Sequence, residues 1–220
     1  MPSLRIYQYL ILLALLVGLI RFRRLSPPFL RLMIPFLLLT AFAEIFPKFI
    51  SIKINNSNHW WFNIFTVIEF LFYTFLFSKA ITNLKAKRVL RITIPVYLMI
   101  AVINILFIQG FKTFHTYTYS LGSVLVIVWC YLYLRQLLKE AVEIKLLSNP
   151  VFWITTGLLF FYLGFFLYMN ALEYIIFRRI DEEGKYFGII SITLNTFLYL
   201  CFVIAMLCPI RSRSSYRFSL

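Results

Sequence analysis

Apolar residues run along this chain in long blocks separated by short polar connectors. A helix that crosses a bilayer needs roughly 17–25 mostly apolar residues. Seven stretches meet that length, at about 5–21, 29–46, 60–79, 92–110, 116–136, 151–171 and 187–208. The residues between them are helix punctuation. Pro27 and Pro28 restart the second helix and Pro47 ends it, Asn149 and Pro150 open the sixth, and Pro209 closes the seventh. Pro35 and Pro95 fall inside spans, where lipid-embedded helices tolerate them. The pattern predicts an all-α fold, a polytopic membrane helix bundle of about seven transmembrane helices, formed as a single domain over 1–220. No connector is long enough to hold a second domain.

Composition agrees with the pattern. Apolar residues make up 62% of the chain and aromatics 20%, with a mean hydropathy of +0.86. A soluble domain averages about 45–50% apolar residues, so the surplus here needs lipid as its solvent. Disorder is excluded on the same ground. Cys130, Cys201 and Cys208 all lie in apolar runs without paired spacing, which reads as small buried hydrophobes.

The net charge of +14 would suggest nucleic acid in a soluble chain, but the 22 basic residues fall mostly in the short connectors. That placement suits membrane topology and anionic headgroups. With seven spans, the N-terminal tail and the even connectors carry 7 Lys and Arg, and the opposite side carries 15. Positive charge collects on the cytoplasmic side, so the predicted topology is N-out/C-in. Arg21, Arg23 and Arg24 follow the first apolar run where a signal-peptide cleavage site would stand, so the first helix is expected to be retained.

Glu69 is the most informative polar residue. It lies nine positions past Trp60, about 13–14 Å down a helix and close to mid-bilayer. A charged group at that depth costs on the order of 3 kcal/mol, so it should face the bundle as a protonated, hydrogen-bonding carboxyl. Asn63, Thr66, Glu69 and Tyr73 share one helix face. Two readings stand: a ligand contact or proton relay, and a neutral carboxyl that ties helices together. Other polar residues gather on the outer half: Glu44 with Thr40 on the second span, Asn104 with Tyr97 on the fourth, and Asn170 and Glu173 ending the sixth. Gly188, Ser191, Asn195 and Tyr199 form a stripe on the seventh. Singly, each suits a helix–helix hydrogen bond; together they suggest a polar pocket open to the outside. Glu69 and Tyr73 on the third span are echoed at the same spacing by Asn195 and Tyr199 on the seventh, a faint sign of internal repetition.

His59 and His115 are expected at the outer surface, without metal-ligand spacing. Trp60 and Trp61 are expected to anchor the third span at the water boundary. Asn55 to Ser57 forms a glycosylation sequon that matters only in a secretory pathway. Absent motifs narrow the chemistry. The seventh span has no lysine for a retinal Schiff base, Asp181 is the only aspartate, and there is no HExxH motif or Gly-rich phosphate loop. Neither a cofactor nor a structural metal is expected.

The run from His59 to Phe70, the segment Asn104 to Gln109, and the segment Asn149 to Ile154 with Gly157, Tyr162 and Gly164 together resemble small seven-transmembrane-helix proteins of Bacteroidota, over nearly the whole chain. The resemblance implies a fold and a bacterial inner-membrane location rather than an activity. Three functional readings follow from the residues. The first is a receptor or sensor, with a small-molecule ligand in the outer pocket and a cytoplasmic signalling partner or a homo-oligomer to carry the output, the connector 137–149 serving as a docking stub. The second is a small-molecule or proton-coupled carrier using Glu69. The third is a lipid-modifying enzyme using Glu44, Glu69 or Glu173 with the outer histidines.

Overall fold

The computed structural model describes residues 4–50, 59–110, 113–139, 146–178 and 184–208. These are helical throughout: α1 (Ile6–Ile20), α2 (Met33–Ile50), α3 (His59–Ala80), α4 (Leu84–Ile103), α5 (Thr116–Lys139), α6 (Pro150–Phe177) and α7 (Lys185–Leu207). Six helices are long and apolar enough to cross a membrane, while α1 is a shorter apolar helix of 15 residues. Leu16, Ile92, Phe107, Phe160 and Leu167 stand exposed on the outside. An apolar exterior around a packed interior is what lipid selects, and the chain is an integral-membrane type of helix bundle.

Local chemistry accounts for several boundaries. Asn83 Oδ1 accepts from the backbone N–H groups of Lys85 and Ala86 at 2.9 and 3.1 Å, an N-cap that starts α4 well before the apolar run expected from residue 92. Asn149 Oδ1 accepts from Val151 N at 3.0 Å with Pro150 leading α6, so that start falls where the sequence places it. Pro47 was expected to end α2, yet the helix continues to Ile50. A proline leaves the carbonyl four residues earlier without its helical donor. That carbonyl is Ala43 O, and Trp61 Nε1 donates to it at 3.2 Å. Beyond Ile103, α4 widens into a π-turn over Asn104–Ile108, and Gly110, at φ 71, turns the chain back in the left-handed region open to glycine.

Helices α1, α2, α3, α5, α6 and α7 form a ring of neighbours, and α4 packs outside it, chiefly against α3. Helices α1 and α7 run parallel: Tyr7 stacks on Tyr199 with ring centroids 6.3 Å apart near one end, and Arg21 Nη1 donates to Met206 O at the other. Small residues admit close packing. Gly122 of α5 lies under the Phe70 ring of α3, Gly157 of α6 under Cys201 of α7, and Gly164 under Leu194. The three cysteines are unpaired, Cys130 and Cys201 buried and Cys208 half-buried.

Candidate functional site

Glu69 lies at the midpoint of α3 and is 7% exposed. Tyr73, one turn on, donates its hydroxyl to Glu69 Oε1 at 3.2 Å. Each helix from α3 to α7 supplies one buried tyrosine within electrostatic reach of this carboxyl: Tyr73, Tyr97, Tyr119, Tyr162 and Tyr199. Phe70 meets Tyr97 and Tyr119 edge-on at centroid distances of 5.6 and 5.8 Å and Tyr162 in a tilted pair at 5.3 Å. Tyr73 meets Tyr162 at 6.0 Å. The Tyr162 hydroxyl is buried beside Glu69 without a hydrogen bond of good geometry, and such an unpaired group in an apolar core costs about 1–3 kcal/mol.

A second carboxyl joins from α2. Glu44 Oε2 accepts from the Tyr7 hydroxyl at 2.9 Å, and Glu44 O accepts from Gln8 Nε2 at 2.9 Å. Gln8 Oε1 in turn accepts from Arg5 N, closing the first turn of α1. The Tyr7 ring stacks on Tyr199 of α7, so the Glu44 site touches α1, α2 and α7. Of the pairs noted in the sequence, Glu69/Tyr73 is hydrogen-bonded, and Tyr73 and Tyr199 are both buried.

The other expected site residues are employed elsewhere. Asn63 is buried, donating to Thr113 O at 2.8 Å and accepting from His115 N at 3.0 Å, so it ties the segment before α5 to α3. Thr66 Oγ1 bonds back to Phe62 O at 2.8 Å. Asn104 Nδ2 donates to Gln109 Oε1 at 2.9 Å within the π-turn, and Asn195 Nδ2 donates to Ser191 O at 2.9 Å on its own helix. The side chains of Glu173 and of residues 48–50, residues 51–58 with the sequon, the central connector residues 140–145, and Asp181 to Glu183 lie outside the described residues. His59 is exposed as expected, whereas His115 is buried with its Nε2 2.7 Å from Gly110 O. The turn at Gly110 folds that histidine inward, and no sequence spacing announces it.

Two cavities, of about 300 and 260 Å³, lie between α4 and α5, and of the polar residues expected to form the pocket Tyr97 and Asn104 border them. Among the described residues no group of His, Cys, Asp and Glu could hold a metal ion. Sequence reasoning missed Tyr7, Gln8 and Tyr119 as members of the centre, and Tyr162 entered it only as part of a resemblance. Gln8 carried a usable signal, a polar residue at the head of an otherwise apolar helix. The tyrosines carried none, since the chain has 14 of them. No protein-family model, no curated protein and no solved structure matches the chain.

Proposed function

We propose that this is a seven-span, receptor- or sensor-like protein of a bacterial inner membrane, N-out/C-in, whose responsive element is the Glu44–Glu69 tyrosine centre. The observation that carries the reading is a mid-helix carboxyl bonded by Tyr73 and flanked by Phe70, on which tyrosine rings from α4, α5 and α6 gather. A ligand group or proton that changes the bonding of Glu69 acts on α3 and, through the rings packed on Phe70, on α4, α5 and α6, which is the arrangement a helix-shifting switch requires. Ordinary structural glue would pair two helices. The α1 helix is about 22 Å long, short of the ~30 Å hydrocarbon core; flanking Arg5 and Arg21 reaching to the headgroups complete the seventh span on this reading. The output passes to a cytoplasmic partner or a second copy through the basic inner face.

The test is a thermal-shift screen of small molecules on the protein in nanodiscs, comparing wild type with Glu69→Gln and Glu69→Leu. Both variants should insert and fold, Leu at a loss of about 1–2 kcal/mol at most. Compounds that stabilise wild type should fail to stabilise Glu69→Gln. If every compound stabilises both proteins equally, Glu69 is scaffold and the reading is lost. The carrier reading draws on a different observation, the link from Glu44 through Tyr7 and Tyr199 toward Glu69. Its signature is proton-linked uptake in vesicles that Glu69→Gln abolishes.

A further inference from the structure

The outlying position of α4 leaves a long groove on the lipid-facing flank. Only Leu90, Tyr97 and Ala101 of α4 are buried, one narrow stripe against the bundle. Beside that stripe, Val89, Ile92, Val96 and Ile100 face Leu121 and Leu125 of α5 across the cavity of about 300 Å³. The second cavity continues from it, sharing Ile100 and Leu121. From Val89 to Ile100 the groove runs about 16 Å at ~1.5 Å per residue, close to half of a ~30 Å hydrocarbon core and hence to one leaflet.

The end of this groove is basic. Lys85 and Arg88 lie one turn before Val89 and Ile92 on the same face of α4, and both are exposed. On α5, Arg135 and Lys139 fall fourteen residues after Leu121 and Leu125, on the same face, and are exposed too. The two pairs lie at the same end of the α4–α5 groove, because Thr82 N, just before α4, donates to Gln136 Oε1 of α5 at 2.7 Å. Four cations therefore flank the mouth of an apolar channel one acyl chain long. Glu140 and Glu143, beyond Lys139, fall among residues that are not described.

We propose that the α4–α5 groove binds an anionic phospholipid, with an acyl chain along Val89 to Ile100 and its phosphate between Lys85, Arg88, Arg135 and Lys139. A phosphodiester with a net negative headgroup complements this mouth, whereas a zwitterionic lipid brings its own cation into it. Each Lys or Arg beside an anionic lipid surface contributes on the order of a fivefold preference.

The experiment reconstitutes full-length protein in vesicles holding equal amounts of phosphatidylglycerol and phosphatidylcholine, extracts it in mild detergent, and quantifies retained lipid by mass spectrometry. Wild type should retain phosphatidylglycerol several-fold over phosphatidylcholine. Lys85→Gln with Arg88→Gln, Arg135→Gln and Lys139→Gln should bring that ratio down to about one. Ile92→Trp keeps the cations and fills the groove, and it should lose phosphatidylglycerol as well. The control Arg23→Gln with Arg24→Gln, on the connector after α1, should behave as wild type. Equal retention of both lipids by wild type would overturn the proposal, as would unchanged phosphatidylglycerol enrichment in Ile92→Trp. Free glycerol phosphate that displaces the lipid would show instead a headgroup site without the acyl channel, and would overturn it too.

Discussion

Tyr7, in the first turn of α1, donates its hydroxyl to Glu44 of α2 at 2.9 Å, joining the shortest helix of the bundle to a carboxyl 37 residues away. The bond is reinforced by Gln8 on the Glu44 backbone carbonyl, so the head of α1 is held by side chains rather than by a loop. Tyr7→Phe removes only the hydroxyl. It should lower stability by about 0.6–1.7 kcal/mol, the range measured for hydrogen bonds between membrane helices. A double-mutant cycle with Glu44→Gln in detergent unfolding should show coupling of similar size. Strictly additive effects would mean that the contact contributes nothing to stability.

Asn63 closes one end of the bundle by serving the segment before α5 with both halves of its amide. Asn63→Ala leaves His115 N and Thr113 O without these partners and should cost about 1–2 kcal/mol. Hydrogen exchange at residues 113–116 should accelerate in the variant. Asn63→Asp keeps the acceptor for His115 N but loses the donor to Thr113 O, so its exchange should fall between the two. Identical protection in all three proteins would show that other contacts hold the segment.

Gly122 supplies a packing prediction with an internal control. A Cβ at Gly122 would lie 2.5 Å from the Phe70 ring, and that ring is hemmed in by Tyr97, Tyr119 and Tyr162. Gly122→Ala should therefore destabilise by about 1–3 kcal/mol through overpacking. Phe70→Leu in the same chain should recover part of the loss. At Gly188 no atom stands within 4 Å of the added Cβ, and Gly188→Ala should stabilise by roughly 0.5–1 kcal/mol through the helix preference for alanine. A denaturation series that ranks the two alanine variants alike would refute the close approach of α3 and α5.

The proposed topology is open to a direct check. A fluorescent reporter that folds only in the cytoplasm should light up when fused after Leu220 and stay dark when fused before Met1. A dark C-terminal fusion with a bright N-terminal one would reverse the orientation. Matching signals at both ends would give an even number of spans, which is the expected result if the 15 residues of α1 do not cross.

What could be read from the sequence and what could not divide along a physical line. Apolar block length and proline or asparagine punctuation are local properties, and they foretold the helical class, the long apolar helices, the Asn149-Pro150 start of α6, and Glu69 as a carboxyl facing the interior. Those features depend on how a segment partitions between water and lipid, which each segment settles for itself. Tertiary structure decided the rest. Pro47 is carried inside α2 because a tryptophan from another helix bonds to Ala43 O, and His115 is buried because the turn at Gly110 delivers it to Asn63. Asn63 and Asn104 share depth or face with candidate site residues, but Asn63 holds the segment before α5 and Asn104 serves a local turn. Tyr7, Tyr119 and Tyr162 join the centre only through the ring of helices that brings α1, α5 and α6 around α3 and α7. In lipid all apolar faces are equally acceptable to the solvent, so hydropathy says which segments enter the membrane but not which faces meet. Small residues, aromatic rings and the few polar bonds choose those faces, and they act between helices distant in the chain.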